Sequence, residues 1–187
     1  MNTQPTIQSI RQRLAGHQPH HMSTKDMISA AVLVPLLQRE ELELLLTVRT
    51  EEVEHHKGQV AFPGGATEPG DLNIEATALR ETREELALPP SSVEVLGRLD
   101  DMWTPSGFIV TPVVGFVRES PVLQPQPAEV SEYFTVPLAF FLNEDNGYTK
   151  RYRRGPHEVD VWFYEYSDHT VWGLTAFIIR NLRQLLL

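Results

Sequence analysis

Apolar residues occur along the chain in short runs that are typical of β-strands. The runs are rich in Val, Ile, Leu and aromatic residues and are bounded by Gly, Pro or polar clusters, which predicts strands joined by turns. The predicted strands are residues 30–37, 41–49, 60–62, 93–99, 109–118, 129–136 and 158–166. Pro35 and Pro112 fall inside two of these runs and indicate a sheet edge or a bulge there.

Apolar residues at helical spacing predict helices near both ends of the chain and in its middle. Ile7, Ile10 and Leu14 predict a short amphipathic helix over residues 4–15. Further helices are predicted over residues 74–88, 138–142 and 171–187.

The order of these elements predicts the fold class. Strands come first, then a helix, then more strands and a closing helix, which indicates an α/β sandwich around a mixed sheet. Residues 100–108 are predicted to form a loop, and the polar segment 143–156 is not predicted as a strand. We expect a single domain over residues 1–187, because the chain is long enough for one proper core.

The helix predicted over residues 74–88 carries three carboxylates on one face. At ~100° per residue, Glu81, Glu84 and Glu85 fall within an arc of about 100°, opposite the apolar residues. Like charges four residues apart repel and weaken a bare helix. A divalent cation with oxygen ligands would remove that penalty, and Mg²⁺ suits carboxylates that leave room for water and phosphates.

The alternative interpretation of this face is a solvated acidic surface. Two features favour a metal site instead. Arg80 and Arg83 are the only basic residues on the helix, so few ion pairs between residues four apart can form. A Pro-Gly-Gly turn also lies just upstream, where the backbone can approach a ligand closely.

Composition and charge narrow the class of protein. Of 187 residues, 41% are hydrophobic and 22% charged, as in ordinary globular proteins, and the net charge of −9 argues against a nucleic-acid partner. An anionic substrate stays open, since a bound metal can invert the local field. The absence of cysteine excludes disulfides and thiol catalysis. With neither a signal-like core nor a membrane-length apolar run, we expect a cytoplasmic monomer or homodimer without a membrane partner.

Residues 65–88 resemble the Nudix box, G-x5-E-x7-R-E-U-x-E-E-x-G-U, in which U is aliphatic. Asp71 stands where the pattern has its first Glu, and the loop before the helix is one residue longer than the pattern. Thr82 replaces the first aliphatic residue, and Ala87 replaces the second Gly. Extra length in a loop costs little, and the Arg-Glu-x-x-Glu-Glu core is intact. The matching residues are Gly65, Arg80, Glu81, Glu84, Glu85 and Leu88.

The segment before the box is similar to the coenzyme A pyrophosphatase branch of this family, whose motif is L-L-T-x-R-[SA]-x3-R-x3-G-x3-F-P-G-G. Residues 45–49 match its first half and residues 58–65 its second half, with the right spacing between them. Thr50 stands where Ser or Ala is usual, and Glu54 stands where the second Arg is usual. Further similarity to the branch lies in residues 104–115, 129–132, 136–138 and 172–176.

The resemblance implies a Nudix-like α/β/α sandwich and a metal-dependent hydrolase. It implies that Glu81, Glu85 and Glu84, with the backbone carbonyl of Gly65, hold Mg²⁺ or Mn²⁺. The implied catalytic residues are Glu84, as a metal ligand or the base that orients water, Glu81, and Arg80. Arg80 is expected to join the loop and the helix by an ion pair.

The residues implied to bind the substrate lie in the upstream motif. They are Arg49, Lys57, Gly58, Phe62 and Gly64. Glu129 or Glu132 could add a late acidic residue, and a structural surface acid is the equally weighted alternative for both.

The implied reaction is cleavage of the diphosphate of coenzyme A or acyl-CoA to 3′,5′-ADP and (acyl) phosphopantetheine. A second hypothesis keeps the enzyme class but changes the substrate to ADP-ribose or a dinucleotide, because Glu54 reverses a charge in the recognition motif. A third is a non-catalytic binding module on the same fold. The complete set of helix glutamates argues against that third hypothesis.

Overall fold

The computed structural model describes residues 5–23, 25–50, 58–118, 121–154 and 157–187. The α-helices within these ranges are α1 (Ile7–Gly16), α2 (Ile74–Leu86), α3 (Leu138–Leu142) and α4 (Gly173–Leu186). The β-strands are β1 (Ile28–Gln38), β2 (Leu42–Arg49), β3 (Val60–Ala61), β4 (Gly64–Ala66), β5 (Val93–Arg98), β6 (Met102–Trp103), β7 (Phe108–Val117), β8 (Val130–Pro137), β9 (Gly147–Arg154), β10 (His157–Tyr166) and β11 (His169–Trp172).

The larger of two sheets is mixed, as predicted. Its centre is the long parallel pair of β1 and β7, which runs from Ile28 beside Phe108 to Leu37 beside Val117. Antiparallel strands extend it on both sides, with β2 and β4 against β1, β5 and β6 against β7, and β3 and β8 against β2. The smaller sheet is antiparallel, in the order β11, β10, β9.

Two hydrophobic clusters cover the faces of the larger sheet and make it the middle layer of a sandwich. On one face α2 contributes Ala78 and Leu86, which pack with Leu33 and Leu45 of the strands. On the other face α1, α3, α4 and the smaller sheet pack over β1, β2 and β8. The predicted α/β/α sandwich is therefore confirmed.

The helix α2 begins and ends where its sequence stops it. Asn73 caps the N-terminus by accepting a hydrogen bond from the backbone N–H of Ala76 at 2.8 Å. The helix ends at Leu86 rather than at the predicted residue 88, because Ala87 adopts a left-handed conformation with φ 56°. Glu75 in the first turn pairs with Arg98 of β5, which ties the helix to the sheet.

The prediction that Pro35 and Pro112 mark a sheet edge or a bulge was wrong. Pro35 lies in the central strand, between the residues paired with β4 and those paired with β2. Pro112 lies likewise between the part of β7 paired with β6 and the part paired with β5. Each proline lies where one neighbouring strand ends and another begins. No ladder hydrogen bond is therefore lost for want of its N–H.

Four strands differ from the sequence prediction, and the first is β4, which takes the glycines of the predicted Pro-Gly-Gly turn. The strand β6 lies within the segment predicted as a loop, and β9 lies within the polar segment 143–156. The strand β11 takes the first two residues of the predicted C-terminal helix, so α4 begins at Gly173. Among the described residues no helix is both long and apolar enough to cross a membrane.

Candidate active site

The turn between β3 and β4 places the glycines that follow it beside β1, with Gly64 paired with Val32 and Gly65 with Ala31. The backbone N–H of Leu33 donates to the carbonyl of Pro63 at 2.9 Å, in the gap between β4 and β2. A Cβ atom on Gly64 would lie 2.2 Å from the carbonyl oxygen of Ala31, closer than any side chain tolerates. The N–H of Gly64 donates a hydrogen bond to the carboxylate of Glu85. The turn is thus held between the central strand and α2.

Arg80 joins α2 to the loop that precedes it. Its Nε and one Nη bind the two carboxylate oxygens of Asp71 at 2.9 and 3.0 Å, and that Nη also donates to the carbonyl of Ala66 at 2.9 Å. Asp71 accepts further bonds from the N–H of Glu68 and the hydroxyl of Thr77. The hydrogen bonds from Arg80, above all, hold the pKa of Asp71 well below its usual range.

The other Nη of Arg80 holds two of the candidate metal ligands. It donates to Glu81 at 2.9 Å and to Glu84 at 3.0 Å. Burial raises the pKa of Glu81 above its usual range, although the hydrogen bond from Arg80 acts in the opposite direction. Glu84 is half exposed and also lies 3.3 Å from Arg83.

Glu85 is a buried carboxylate, and the positive charge around it is too small to keep its pKa at the usual value. Only 3% of the residue is exposed, and this burial raises its pKa to about 8. Repulsion from Glu129 and Glu81 acts in the same direction, whereas attraction to Arg49 and the bond from Gly64 oppose it. A carboxylate in such surroundings is a candidate for metal binding or proton transfer.

The segment that leads into β8 covers this end of α2. The N–H of Gln126 donates to the backbone carbonyl of Glu85 at 2.8 Å, and the N–H of Thr50 donates to the carbonyl of Glu129 at 3.0 Å. Glu129 interacts electrostatically with both Glu81 and Glu85, so it belongs to the same cluster of charges. Glu132, the other late acid considered, lies on β8 beside His169 and apart from this cluster.

Arg49, at the end of β2, supplies positive charge beside the buried carboxylate. Its Nε is buried and has no hydrogen-bond partner among the described residues. A buried donor without a partner costs free energy, and an anionic substrate oxygen would supply the missing acceptor. Of the other expected substrate-binding residues, Gly58 adopts φ 64° and donates its N–H to the carbonyl of Arg49.

Phe62 does not join this cluster. The side chain of Phe62, which directly follows β3, is 4% exposed and packs in the hydrophobic cluster that includes residues of α4 and β2. Lys57 and Glu54 lie outside the described residues.

The chemistry of the donors fits a divalent cation, although the side chains are not arranged around one. In the described part of the chain, no three His, Asp or Glu side chains are grouped so that they could hold a metal ion. Arg80 instead binds Glu81 and Glu84, and Glu85 is buried between like charges. A hard cation with oxygen ligands would relieve that repulsion once the glutamates turn toward it.

Replacing Gly65 with Ala is expected to lower activity with little loss of stability. A Cβ at residue 65 would lie 2.6 Å from the carboxylate of Glu81, which is the mobile end of a side chain and can move away. Moving a candidate ligand by about 1 Å can cost on the order of 10²-fold in rate. The matched control is Gly70→Ala, because a Cβ there meets nothing within 4 Å. Equal activity of the two variants, measured beside thermal unfolding, would contradict the expectation.

Comparisons with known proteins show which family this chain is similar to. A model of the NUDIX domain matches residues 27–152. The uncharacterized Nudix hydrolase NudL of Photorhabdus laumondii is 43% identical over 155 residues, which cover 83% of this chain and 83% of the relative. The same-named protein of Escherichia fergusonii is 46% identical over 154 residues, 82% of this chain and 80% of its own.

Solved structures show the same fold at low sequence identity. A MutT/nudix family protein from Enterococcus faecalis superposes with a TM-score of 0.56 at 16% identity, over 98% of this chain and 70% of its own. An Ap4A hydrolase binary complex from C. elegans superposes with a TM-score of 0.51 at 19% identity, over 59% of this chain and 80% of its own.

Proposed function

Because this chain belongs to the Nudix hydrolase family, which acts on pyrophosphate bonds, we propose that its diphosphate substrate is coenzyme A or an acyl-CoA. The products would be 3′,5′-ADP and phosphopantetheine or its acyl derivative. Water adds to one phosphorus atom of the diphosphate, and the other phosphate departs with its organic group.

One observation carries the proposal. The two halves of the segment that is similar to the coenzyme A branch are adjacent strands, since Thr47 and Val48 of β2 pair with Ala61 and Val60 of β3. This hairpin ends at Arg49, beside the buried carboxylate of Glu85. The segment proposed to recognise the substrate therefore meets the carboxylate cluster proposed to perform the chemistry.

Each residue of the cluster has a proposed role. Glu81, Glu85 and Glu84, with the backbone carbonyl of Gly65, would hold Mg²⁺ or Mn²⁺, which would neutralise charge on the diphosphate. Glu84, the most exposed of the three, is the candidate to orient the attacking water or accept its proton.

The two arginines act differently on this site. Arg80 is a positioning residue, because its guanidinium is already committed to Asp71, Ala66 and two glutamates. Arg49 would donate to a phosphate oxygen through its unpaired Nε.

The test is direct. The protein is incubated with coenzyme A and Mg²⁺ or Mn²⁺, and 3′,5′-ADP is measured by chromatography. We expect metal-dependent product that disappears with a chelator. No product at any metal concentration would contradict the proposal.

A second candidate is hydrolysis of ADP-ribose or a dinucleotide. Glu54, which replaces an arginine of the coenzyme A motif, favours it. Comparison of kcat/KM for coenzyme A, acetyl-CoA, ADP-ribose and diadenosine diphosphate decides between the two, because discrimination is measured by that ratio. We expect the coenzyme A derivatives to have the higher values.

A further inference from the structure

A second concave site is lined by residues of β2, β3, β8 and β11. The cavity has a volume of about 500 Å³. Its floor is a row of neighbouring positions, with Val48 of β2 between Val60 of β3 and Glu132 of β8. Trp172, at the end of β11, forms part of the wall and is 40% exposed. The cavity therefore offers apolar surface and one accessible aromatic ring to a ligand.

The polar groups of the cavity are mainly hydrogen-bond acceptors. Glu132 and Asp168 bring two carboxylates, and the described residues that line the cavity include no Lys or Arg. His169 is bound to the carboxylate of Glu132, and its ring stacks on Phe134 with centroids 3.8 Å apart. This wall is thus fixed in place. Two carboxylates repel a phosphate and attract N–H and O–H donors.

The cavity also collects residues to which the cleavage chemistry assigns no role. Val48 and Gly58 belong to the motif before the box, Glu132 to the segment 129–132, and Trp172 to the segment 172–176. These are the segments similar to the coenzyme A branch. Their meeting at one cavity is most simply explained by a ligand that the cavity recognises.

The two halves of coenzyme A differ in charge, and the carboxylates of this cavity discriminate between them by charge. The adenosine half carries an additional 3′-phosphate, which the carboxylates would repel. The pantetheine half is uncharged, carries amide N–H and hydroxyl donors, and has methyl and methylene groups that bury well against Val48, Val60 and an indole ring.

We propose that this cavity binds the uncharged, amide-bearing pantetheine arm of the substrate. The proposal rests on the proposed function and extends it, because it assigns the two halves of the substrate to different sides of β2. Arg49 and Val48 are consecutive residues of that strand, with an irregularity in pairing between them. The Cα atoms of these two consecutive residues are about 3.8 Å apart, whereas an extended arm as long as about four residues spans roughly 14 Å.

The first experiment measures binding without catalysis. Pantetheine alone and 3′,5′-ADP alone are titrated into ¹⁵N-labelled protein, and the amide signals of Val48, Val60 and Thr170 and the indole signal of Trp172 are followed. We expect pantetheine, and not 3′,5′-ADP, to shift them. Shifts caused by 3′,5′-ADP, or by neither ligand, would overturn the proposal. Because no cleavage is involved, this outcome is independent of whether coenzyme A is hydrolysed.

The second experiment compares substrates that share one half. Dephospho-CoA and ADP-ribose both contain adenosine diphosphate but differ in the other arm. Trp172→Ala is expected to raise the KM for dephospho-CoA by roughly tenfold or more, and to leave the KM for ADP-ribose unchanged. Trp172→Phe should restore most of the affinity, since it keeps an aromatic ring.

The control variant is Trp103→Ala, which removes an exposed tryptophan of β6 that is not among the residues lining this cavity. It should leave both KM values unchanged. Equal increases for both substrates in Trp172→Ala would place the adenosine half in the cavity and overturn the proposal, as would no increase for either.

Discussion

Replacing Glu85 with Gln is expected to lower kcat/KM for the diphosphate substrate by on the order of 10²–10⁴-fold. The amide has nearly the shape of the carboxylate but carries no charge for a cation or for proton transfer. Glu84→Gln should fall in the same range. Steady-state rates with saturating Mg²⁺ or Mn²⁺ measure both effects.

The control for both variants is Glu75→Gln on the same helix. Glu75 pairs with Arg98 of β5 and is not part of the carboxylate cluster. Its variant should lose some stability and keep its activity. Near-normal activity of Glu85→Gln at saturating metal would remove Glu85 from the proposed site.

The metal-free protein is expected to become less stable as the pH rises from 5 to 9. The pKa of Glu85 is raised to about 8 in the folded protein, against 4.5 for a free glutamate. The folded state therefore holds this proton more tightly than the unfolded state does. The stability that it contributes is fully present below about 4.5 and is lost as the pH passes through about 8.

The expected loss is about 2 to 5 kcal/mol in the free energy of unfolding. Burial shifts the pKa of Glu81 in the same direction, which adds to the loss. Asp71 acts in the opposite direction, but its contribution is lost only as the pH falls through its unfolded value near 4 and below, outside this window. Urea denaturation in the presence of a chelator measures the profile.

Glu85→Gln serves as the matched control for this second prediction. Because glutamine has no proton to lose, most of the decline between pH 5 and 9 should vanish in the variant. At pH 9 without metal the variant should be more stable than the parent protein. A parent profile that is flat over this range would show that Glu85 is already ionised in the folded state.

The sequence predicts the layers of the fold well and its short strands poorly. Long apolar runs such as β1 and β7, and the capped helix α2, carry periodic signals that local sequence determines. The strand β9 differs from the prediction because only Tyr148 and Tyr152 interrupt a run of polar and basic residues, so the segment resembles a polar loop. The two-residue strand β6 is too short for any period and exists because β7 lies beside it.

The sequence predicts which residues form the candidate site, but it does not predict how deeply each of them is buried. The helical period places Glu81, Glu84 and Glu85 on one face, and a wheel treats all three as equally exposed. Their exposures differ because the segment before β8 covers the C-terminal end of α2, a contact that depends on residues far apart in the sequence. The pairing of Arg80 with Asp71 had a local signal, an acidic residue in the loop before the helix.

The two prolines of the central strands also have a consequence for folding. At both positions the missing N–H would have pointed into the gap where one neighbouring strand replaces another. In β1, Leu33 donates its N–H toward the gap between β4 and β2, and Pro35, two residues later, faces the same side. In β7, the carbonyl of Pro112 accepts from Leu99, which lies in the gap between β5 and β6. If β1 or β7 slipped by one residue during folding, a position without a donor would face a carbonyl that needs one. Misaligned sheets are thereby penalised, and the native alignment sets where the turn of Gly64 leaves the sheet.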